Sequence, residues 1–218
     1  MHTPSDAQPS DAQHYLNKHV TINQNSILLS DIVAEDVTDA CKKFKLKTSK
    51  DPMGLQQNIV LNDIDILAPM VAHLINCSQR EGIFPENAKI ARVIPIYKNK
   101  GSKQMYENYR PISLLPIFSK IIERLIYNKV FEFLVRYEII FDSQYGFRRG
   151  HNTTHATLDF LGSIEDAMEK NEHAIGIFCG LSKAFDTLNH DILLLKLEHY
   201  GIRGIALNWF ESYLKDRK

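Results

Sequence analysis

The chain has 218 residues, of which 44% are hydrophobic and 24% charged, and its 26 basic residues balance 26 acidic ones. This composition is typical of a globular protein, and no apolar run approaches the roughly 20 residues of a membrane span. The N-terminus has no apolar segment typical of a secretion signal, and the three cysteines are far apart in the sequence. We therefore expect an intracellular protein, in the cytoplasm or nucleus, with reduced thiols.

The N-terminal region is polar and contains the pentapeptide Pro-Ser-Asp-Ala-Gln twice in tandem, at residues 4–8 and 9–13. Because so few of its side chains are apolar, the composition predicts disorder over residues 1–29. A globular domain is expected over residues 30–218. Its first predicted element is a helix that Ser30 caps and that runs to about Lys45, followed by a polar loop at 47–54.

The rest of the chain predicts a mixed α+β order in which helices outnumber strands. A strand is predicted at 89–98, where Pro95 implies a sheet edge, and it leads into a loop that contains Gly101. The apolar run 174–179 predicts a second, buried strand. Apolar residues at helical spacing predict helices at 69–80, 116–136, 153–170, 190–199 and 204–215, and Ala156, Leu161, Ile164 and Met168 are expected to face inward.

Basic residues are concentrated in the middle of this neutral chain. Between Lys89 and Lys129 there are nine lysines and arginines against Glu107 and Glu123, a local net charge of +7. Such a block indicates an anionic partner such as phosphates, although a solvated lysine-rich face fits the charges equally well.

Four strings of residues are more specific than composition. The first two are Ile-Ala-Arg-Val-Ile-Pro-Ile-Tyr-Lys at 90–98 and Asn-Tyr-Arg-Pro-Ile-Ser-Leu-Leu at 108–115. The third is Gln-Tyr-Gly-Phe-Arg-Arg-Gly-His-Asn-Thr at 144–153, and the fourth is Phe-Cys-Gly-Leu-Ser-Lys-Ala-Phe-Asp at 178–186. In this order they closely resemble the fingers motifs and the first palm motif of the reverse transcriptases encoded by non-LTR retrotransposons.

This resemblance spans about residues 30–218 and implies a partial right-hand polymerase, comprising the fingers and upper palm. It implies an RNA template, a DNA primer and a deoxynucleoside triphosphate as partners, with Mg²⁺ as the family's cofactor. By position, Lys98 and Arg110 would contact the incoming triphosphate, with Arg92 a weaker candidate, and Phe185 would sense its sugar. The template would meet Gln144, Arg148 and Arg149.

Two of these roles have a structural alternative. Arg110 also fits an ion pair at the turn before Pro111. Phe185 also fits an aromatic residue that packs against the next helix. This packing and the contact with the nucleotide sugar are compatible with each other.

One departure from the family pattern bears on chemistry. Gly180 stands where the family places the aspartate that bridges two catalytic metal ions, and glycine offers no side-chain oxygen to Mg²⁺. The family's Tyr-x-Asp-Asp motif is also absent from these residues. Asp186 is interpreted as a turn residue rather than a substitute ligand. We therefore expect no metal site and no catalysis; the alternatives are a nucleic-acid-binding remnant or an unselected product of a decayed element.

Overall fold

The computed structural model describes residues 8–181, 184–185 and 187–217. They form two compact units: the larger contains the described residues of Ala7–Phe133 and His190–Lys218, and the smaller those of Leu134–Asn189. The elements of the described chain are α1 (Pro9–His19), α2 (Ala34–Cys41), α3 (Gln57–Asn62), α4 (Ile64–Glu81), β1 (Arg92–Tyr97), β2 (Tyr109–Leu114), α5 (Ile117–Arg136), α6 (Thr153–Glu169), α7 (His190–His199) and α8 (Ile205–Leu214). The predicted predominance of helices over strands is therefore confirmed for the described residues.

Helix α4 lies at the centre of the larger unit's core. Its apolar residues recur at helical spacing on one face, where Ala68 and Ile75 are fully buried. The helix begins at Ile64 and not at Pro69 as predicted, so that Pro69 lies inside it. A proline there removes one backbone hydrogen bond. Burial of Ile64 and Ala68, which precede Pro69 on one face of the helix, accounts for the earlier start.

The end of α4 is joined to α8 by a buried aromatic residue. The Trp209 indole donates a 2.8 Å hydrogen bond to Ser78 Oγ, which in turn donates to the Ile83 carbonyl at 2.5 Å. The Phe84 ring meets Trp209 edge to face at 5.3 Å. Gly82 ends α4 with a φ of +67°, because the left-handed conformation favours glycine.

The region predicted to be disordered contains ordered structure. Residues 9–19 form α1, in which Leu16 is buried, whereas residues 1–7 lie outside the described chain. The extended segment that follows is bound to the turn between α7 and α8: the Asn23 amide donates to the His199 carbonyl and the Ile27 amide to the Gly201 carbonyl. Composition did not reveal this order because the bonding partners are some 175 residues away in the sequence.

Helix α2, unlike α4, begins later than predicted. Its first residue is Ala34, and the Asp36 carboxylate accepts a 3.0 Å hydrogen bond from the Val33 amide. Ser30 does not cap the helix; its hydroxyl accepts instead from Lys129 Nζ at 2.7 Å.

The smaller unit departs from the prediction in its packing. Helix α6 forms as predicted, with Asn152 accepting a 3.1 Å hydrogen bond from the His155 amide at its N-terminus. However, no residue of α6 is buried, and the expected inward residues Leu161 and Met168 are 47% and 70% exposed. Periodicity therefore predicted the helix but not its burial, which needs a partner surface.

The predicted strand at 174–179 is wrong. These residues have no regular secondary structure, and Ile175, Ile177 and Phe178 are all more than 80% exposed. A strand needs a hydrogen-bonding neighbour, and the only sheet among the described residues is the β1–β2 hairpin.

The remaining sequence expectations concern membranes and thiols. No helix in the described part of the chain is both long enough and apolar enough to cross a membrane. All three cysteines are free, but only Cys41 is buried, and Cys179 is exposed. Burial raises the pKa of the Cys41 thiol from 9.0 to about 11.

Candidate nucleic-acid interface

The register of the β1–β2 hairpin collects three basic residues on one face. In the antiparallel pairing Ile96 lies opposite Arg110, and Arg92 lies opposite Leu114. Residues directly opposite each other share a face, as do residues two apart along a strand. Lys98, which continues the pairing through a 2.8 Å hydrogen bond from its amide to the Asn108 carbonyl, therefore lies on the same face as Arg92 and Arg110.

The side chains of Arg92, Lys98 and Arg110 differ in the hydrogen bonds that they make within the protein. Lys98 Nζ donates to the Glu107 carbonyl at 2.6 Å, and Arg92 reaches the Lys50 carbonyl at 3.4 Å. The Arg110 side chain is exposed and makes no hydrogen bond or ion pair within the described chain. The ion pair considered for Arg110 is therefore not present among these residues, and all its guanidinium donors face solvent.

The opposite face of the hairpin supports its loop. Tyr97 and Tyr109 lie across from each other with ring centroids 5.5 Å apart, and Lys103 Nζ lies 5.7 Å from the Tyr97 ring centroid. The Tyr97 hydroxyl donates to the Gly101 carbonyl, and the Tyr109 hydroxyl to the Lys103 carbonyl. This tyrosine pair is not among the predicted residues, although strict alternation along both strands indicates that Tyr97 and Tyr109 share a face.

The loop at 144–153 contains two arginines that were predicted to contact the template, and one of them is bound to backbone carbonyls near the loop. Arg148 Nη1 donates to the carbonyls of Phe141 and Asp142, both at 3.1 Å, and its side chain is only 22% exposed. Gln144 donates to the Gly146 carbonyl at 3.2 Å. Arg149, by contrast, is exposed. Within this loop, Arg149 is therefore better placed than Arg148 to meet a phosphate.

A hydrogen bond connects this loop to α6. The Tyr145 hydroxyl donates to the Asp159 carboxylate, and this bond raises the pKa of Tyr145 above its usual value. The neighbouring His151 and His155 rings lie 6.1 Å apart.

Two motifs that are far apart in sequence meet through aromatic rings. The Phe147 ring lies edge to face with the Phe185 ring, at a centroid separation of 6.2 Å and an interplanar angle of 84°. Both rings are otherwise at least 80% exposed. Phe147 has a φ of +58°, an uncommon conformation for an aromatic residue. Nothing in the sequence indicated Phe147 as the partner of Phe185.

Gly180 supplies no side-chain oxygen to a magnesium ion. Gly180 is exposed, and a Cβ added to it would meet no atom within 4 Å. In the described chain, no three His, Cys, Asp or Glu side chains are grouped so that they could hold a metal ion. Asp186 lies outside the described residues. Since Mg²⁺ prefers carboxylate oxygens, position 180 has room for a metal ligand but supplies none.

Comparison with known proteins identifies the family to which this chain is similar. The family described as reverse transcriptase (RNA-dependent DNA polymerase) matches residues 96–218. The chain is 32% identical over 215 residues to a probable RNA-directed DNA polymerase from transposon BS of Drosophila melanogaster, an alignment that covers 94% of this chain and 23% of that protein.

Two further relatives come from the same organism. Identity is 32% over 194 residues with the RNA-directed DNA polymerase from mobile element jockey, covering 89% of this chain and 21% of the relative. It is 30% over 145 residues with a probable RNA-directed DNA polymerase from transposon X-element, covering 66% and 16%. The chain thus spans between 16% and 23% of the length of these relatives. Since the family match covers more than half of the chain, including Lys98, Arg110 and Gly180, the chain belongs to the reverse transcriptases of non-LTR retrotransposons.

Proposed function

We propose that this chain forms the fingers and upper palm of a right-hand reverse transcriptase. In this role it holds template RNA, primer DNA and the triphosphate of the incoming nucleotide, and does not join nucleotides itself. The observation that carries the proposal is the hairpin register, which puts Arg92, Lys98 and Arg110 on one face. The binding partners and the residue roles rest on the family resemblance.

The chemistry of a triphosphate favours this face. A guanidinium presents donors in a fork that fits two phosphate oxygens at once, whereas an ammonium acts as a point charge. Arg110 has its donors free, and Lys98 lies on the same face one residue beyond the end of β1. The local net charge of +7 over Lys89–Lys129 adds attraction for an anionic strand.

The lack of catalysis is argued from Gly180. Nucleotidyl transfer in this family uses Mg²⁺, which activates the attacking oxygen and stabilises charge on the leaving pyrophosphate when it is bound. The described residues supply no suitable donor set at position 180, so no catalytic step is assigned to this chain.

Binding is tested by filter retention of a single-stranded RNA across a salt series. We expect affinity to fall as salt rises, and the Arg110→Ala variant to bind more weakly with a salt slope reduced by about one. Arg80→Ala is the matched control, because it removes the same charge from an exposed arginine that is paired with Asp31 at 2.8 Å. Equal effects of the two substitutions would reject a specific role for the hairpin face.

Catalysis is tested by primer extension with Mg²⁺ or Mn²⁺, with an active reverse transcriptase in a parallel, separate reaction as the positive control. We expect no incorporation by this chain. Measurable incorporation would refute the proposed inactivity, while leaving the binding result intact.

One observation favours the alternative of an unselected product. Ile175, Ile177, Phe178 and Leu181 are each more than 80% exposed, and exposed apolar segments of this kind promote association. Light scattering of the purified chain distinguishes the readings: a monodisperse monomer argues for a selected binding module, and concentration-dependent association argues for the alternative.

A further inference from the structure

The β1–β2 hairpin is an arm whose orientation must be set at its base. Its two strands pack chiefly on each other, and most of their residues are exposed. The apolar core therefore does little to hold the arm. The residues where the arm joins the helical part of the larger unit are candidates for that task.

Asp51 occupies such a position and is only 8% exposed. Its Oδ1 accepts 2.9 Å hydrogen bonds from the amides of Met53 and Leu55, which fold the 51–55 loop around the carboxylate. Its Oδ2 accepts a 3.0 Å hydrogen bond from the amide of Ile117, the first residue of α5. Each bond to an ionised carboxylate is stronger than one between neutral groups.

The position of Ile117 connects this loop to the arm. Strand β2 ends at Leu114, and Ile117 follows it by three residues and is fully buried. The other strand is tied to the same loop, because Arg92 at the start of β1 donates to the carbonyl of Lys50. Residues 50 and 51 thus hold both strands where they leave the core.

We infer that Asp51 is a positioning residue that fixes the hairpin arm on the helical core. The consequence for triphosphate binding rests on the proposed function of Arg110 and Lys98. The fixing itself does not, and it is measurable without any nucleotide.

The test is the distance between the arm and the core in the full chain. Trp209, the single tryptophan, is the energy donor, and a dye on a Ser102→Cys variant in the hairpin loop is the acceptor, with Cys77 and Cys179 replaced by serine. Asp51→Asn retains one oxygen for the loop amides but presents an NH₂ group to the Ile117 amide. We expect the donor–acceptor distance distribution to broaden in Asp51→Asn.

Hydrogen exchange provides a second measurement at the base of the arm. Because a buried charged hydrogen bond is lost, we expect exchange over residues 113–118 to accelerate roughly tenfold in Asp51→Asn. Amides in the middle of α4 should exchange as in the original chain. Ile75→Val is the matched control, since it weakens the core away from the arm and should change neither readout selectively.

Equal effects of Asp51→Asn and Ile75→Val, or no effect of Asp51→Asn, would overturn the inference. If Asp51→Asn does not fold, Asp51→Ser replaces it, because a serine hydroxyl keeps one acceptor for the loop amides and removes the second oxygen that binds the Ile117 amide. An unbroadened distribution in that variant would also overturn the inference. The distance distribution can broaden in Asp51→Asn while Arg110→Ala still binds RNA as tightly as the original chain. That combination would support the positioning role of Asp51 and reject the proposed function.

Discussion

Replacing Gly201 with alanine is expected to release the N-terminal segment 20–28 from the larger unit. Gly201 has a φ of +102°, a conformation that an L side chain rarely adopts. A Cβ there would lie 2.9 Å from Phe133 Cζ and closer still to the Asn25 carbonyl oxygen. Because the nearest obstacle is backbone, rotation of a side chain cannot relieve the clash, and the segment itself must move.

The size of the effect follows from what is lost. A left-handed conformation costs a non-glycine residue about 1–2 kcal/mol. Moving the segment also breaks hydrogen bonds, among them Ile27 amide to Gly201 carbonyl at 2.9 Å and Arg203 Nη2 to Asn23 carbonyl at 2.6 Å. At about 1 kcal/mol for each of two bonds, the free energy of unfolding should fall by about 3–4 kcal/mol in all.

Urea denaturation followed by circular dichroism measures this loss. Gly54→Ala is the matched control: Gly54 has a φ of +84°, but its added Cβ would meet no atom within 4 Å. It should therefore lose only the conformational part, about 1–2 kcal/mol. Limited proteolysis should cut segment 20–28 faster in Gly201→Ala alone. Equal losses in both variants, with unchanged proteolysis, would refute the reasoning.

Three further outcomes are expected. Gly180→Asp should change stability by less than about 0.5 kcal/mol, because the new side chain enters open space, and should still give no primer extension; incorporation by this variant would contradict the proposal. Trp209→Ala should cost about 3–5 kcal/mol in urea denaturation, since it empties a buried site, and a loss under about 1 kcal/mol would show that the core does not depend on it. Burial, and then the nearby Glu123 carboxylate, raises the pKa of Tyr213 from 10.0 to about 12. Because the unfolded chain loses this proton at lower pH than the folded chain, the free energy of unfolding should fall as pH rises from 10 to 12. The Tyr213→Phe variant should lack this contribution to the fall.

The predictions that succeeded depended on local signals. The spacing of apolar residues predicted α5, α6, α7 and α8 to within about two residues. Gly101 lies in a loop after the first strand as predicted, with a positive φ. These features need only neighbouring residues to form, because helix and turn geometry is decided within a few residues of the chain.

The candidate site was predictable only in part. The motif strings pointed to Lys98, Arg110 and Phe185, and strand alternation places Lys98 and Arg110 on one face. The same strings did not show that loop carbonyls already bind Arg148, or that Phe147 meets Phe185. Both facts depend on the path of a loop, which residue types alone leave open.

By itself, the amino-acid sequence determined α5 to α8, the family and the absence of a carboxylate at Gly180. Only the tertiary structure decided which surfaces are covered. It leaves α6 and the 174–179 segment exposed, yet holds residues 23–27 against the turn between α7 and α8. The physical reason is that burial and strand pairing need a second surface, and the partner of a segment can lie anywhere in the sequence.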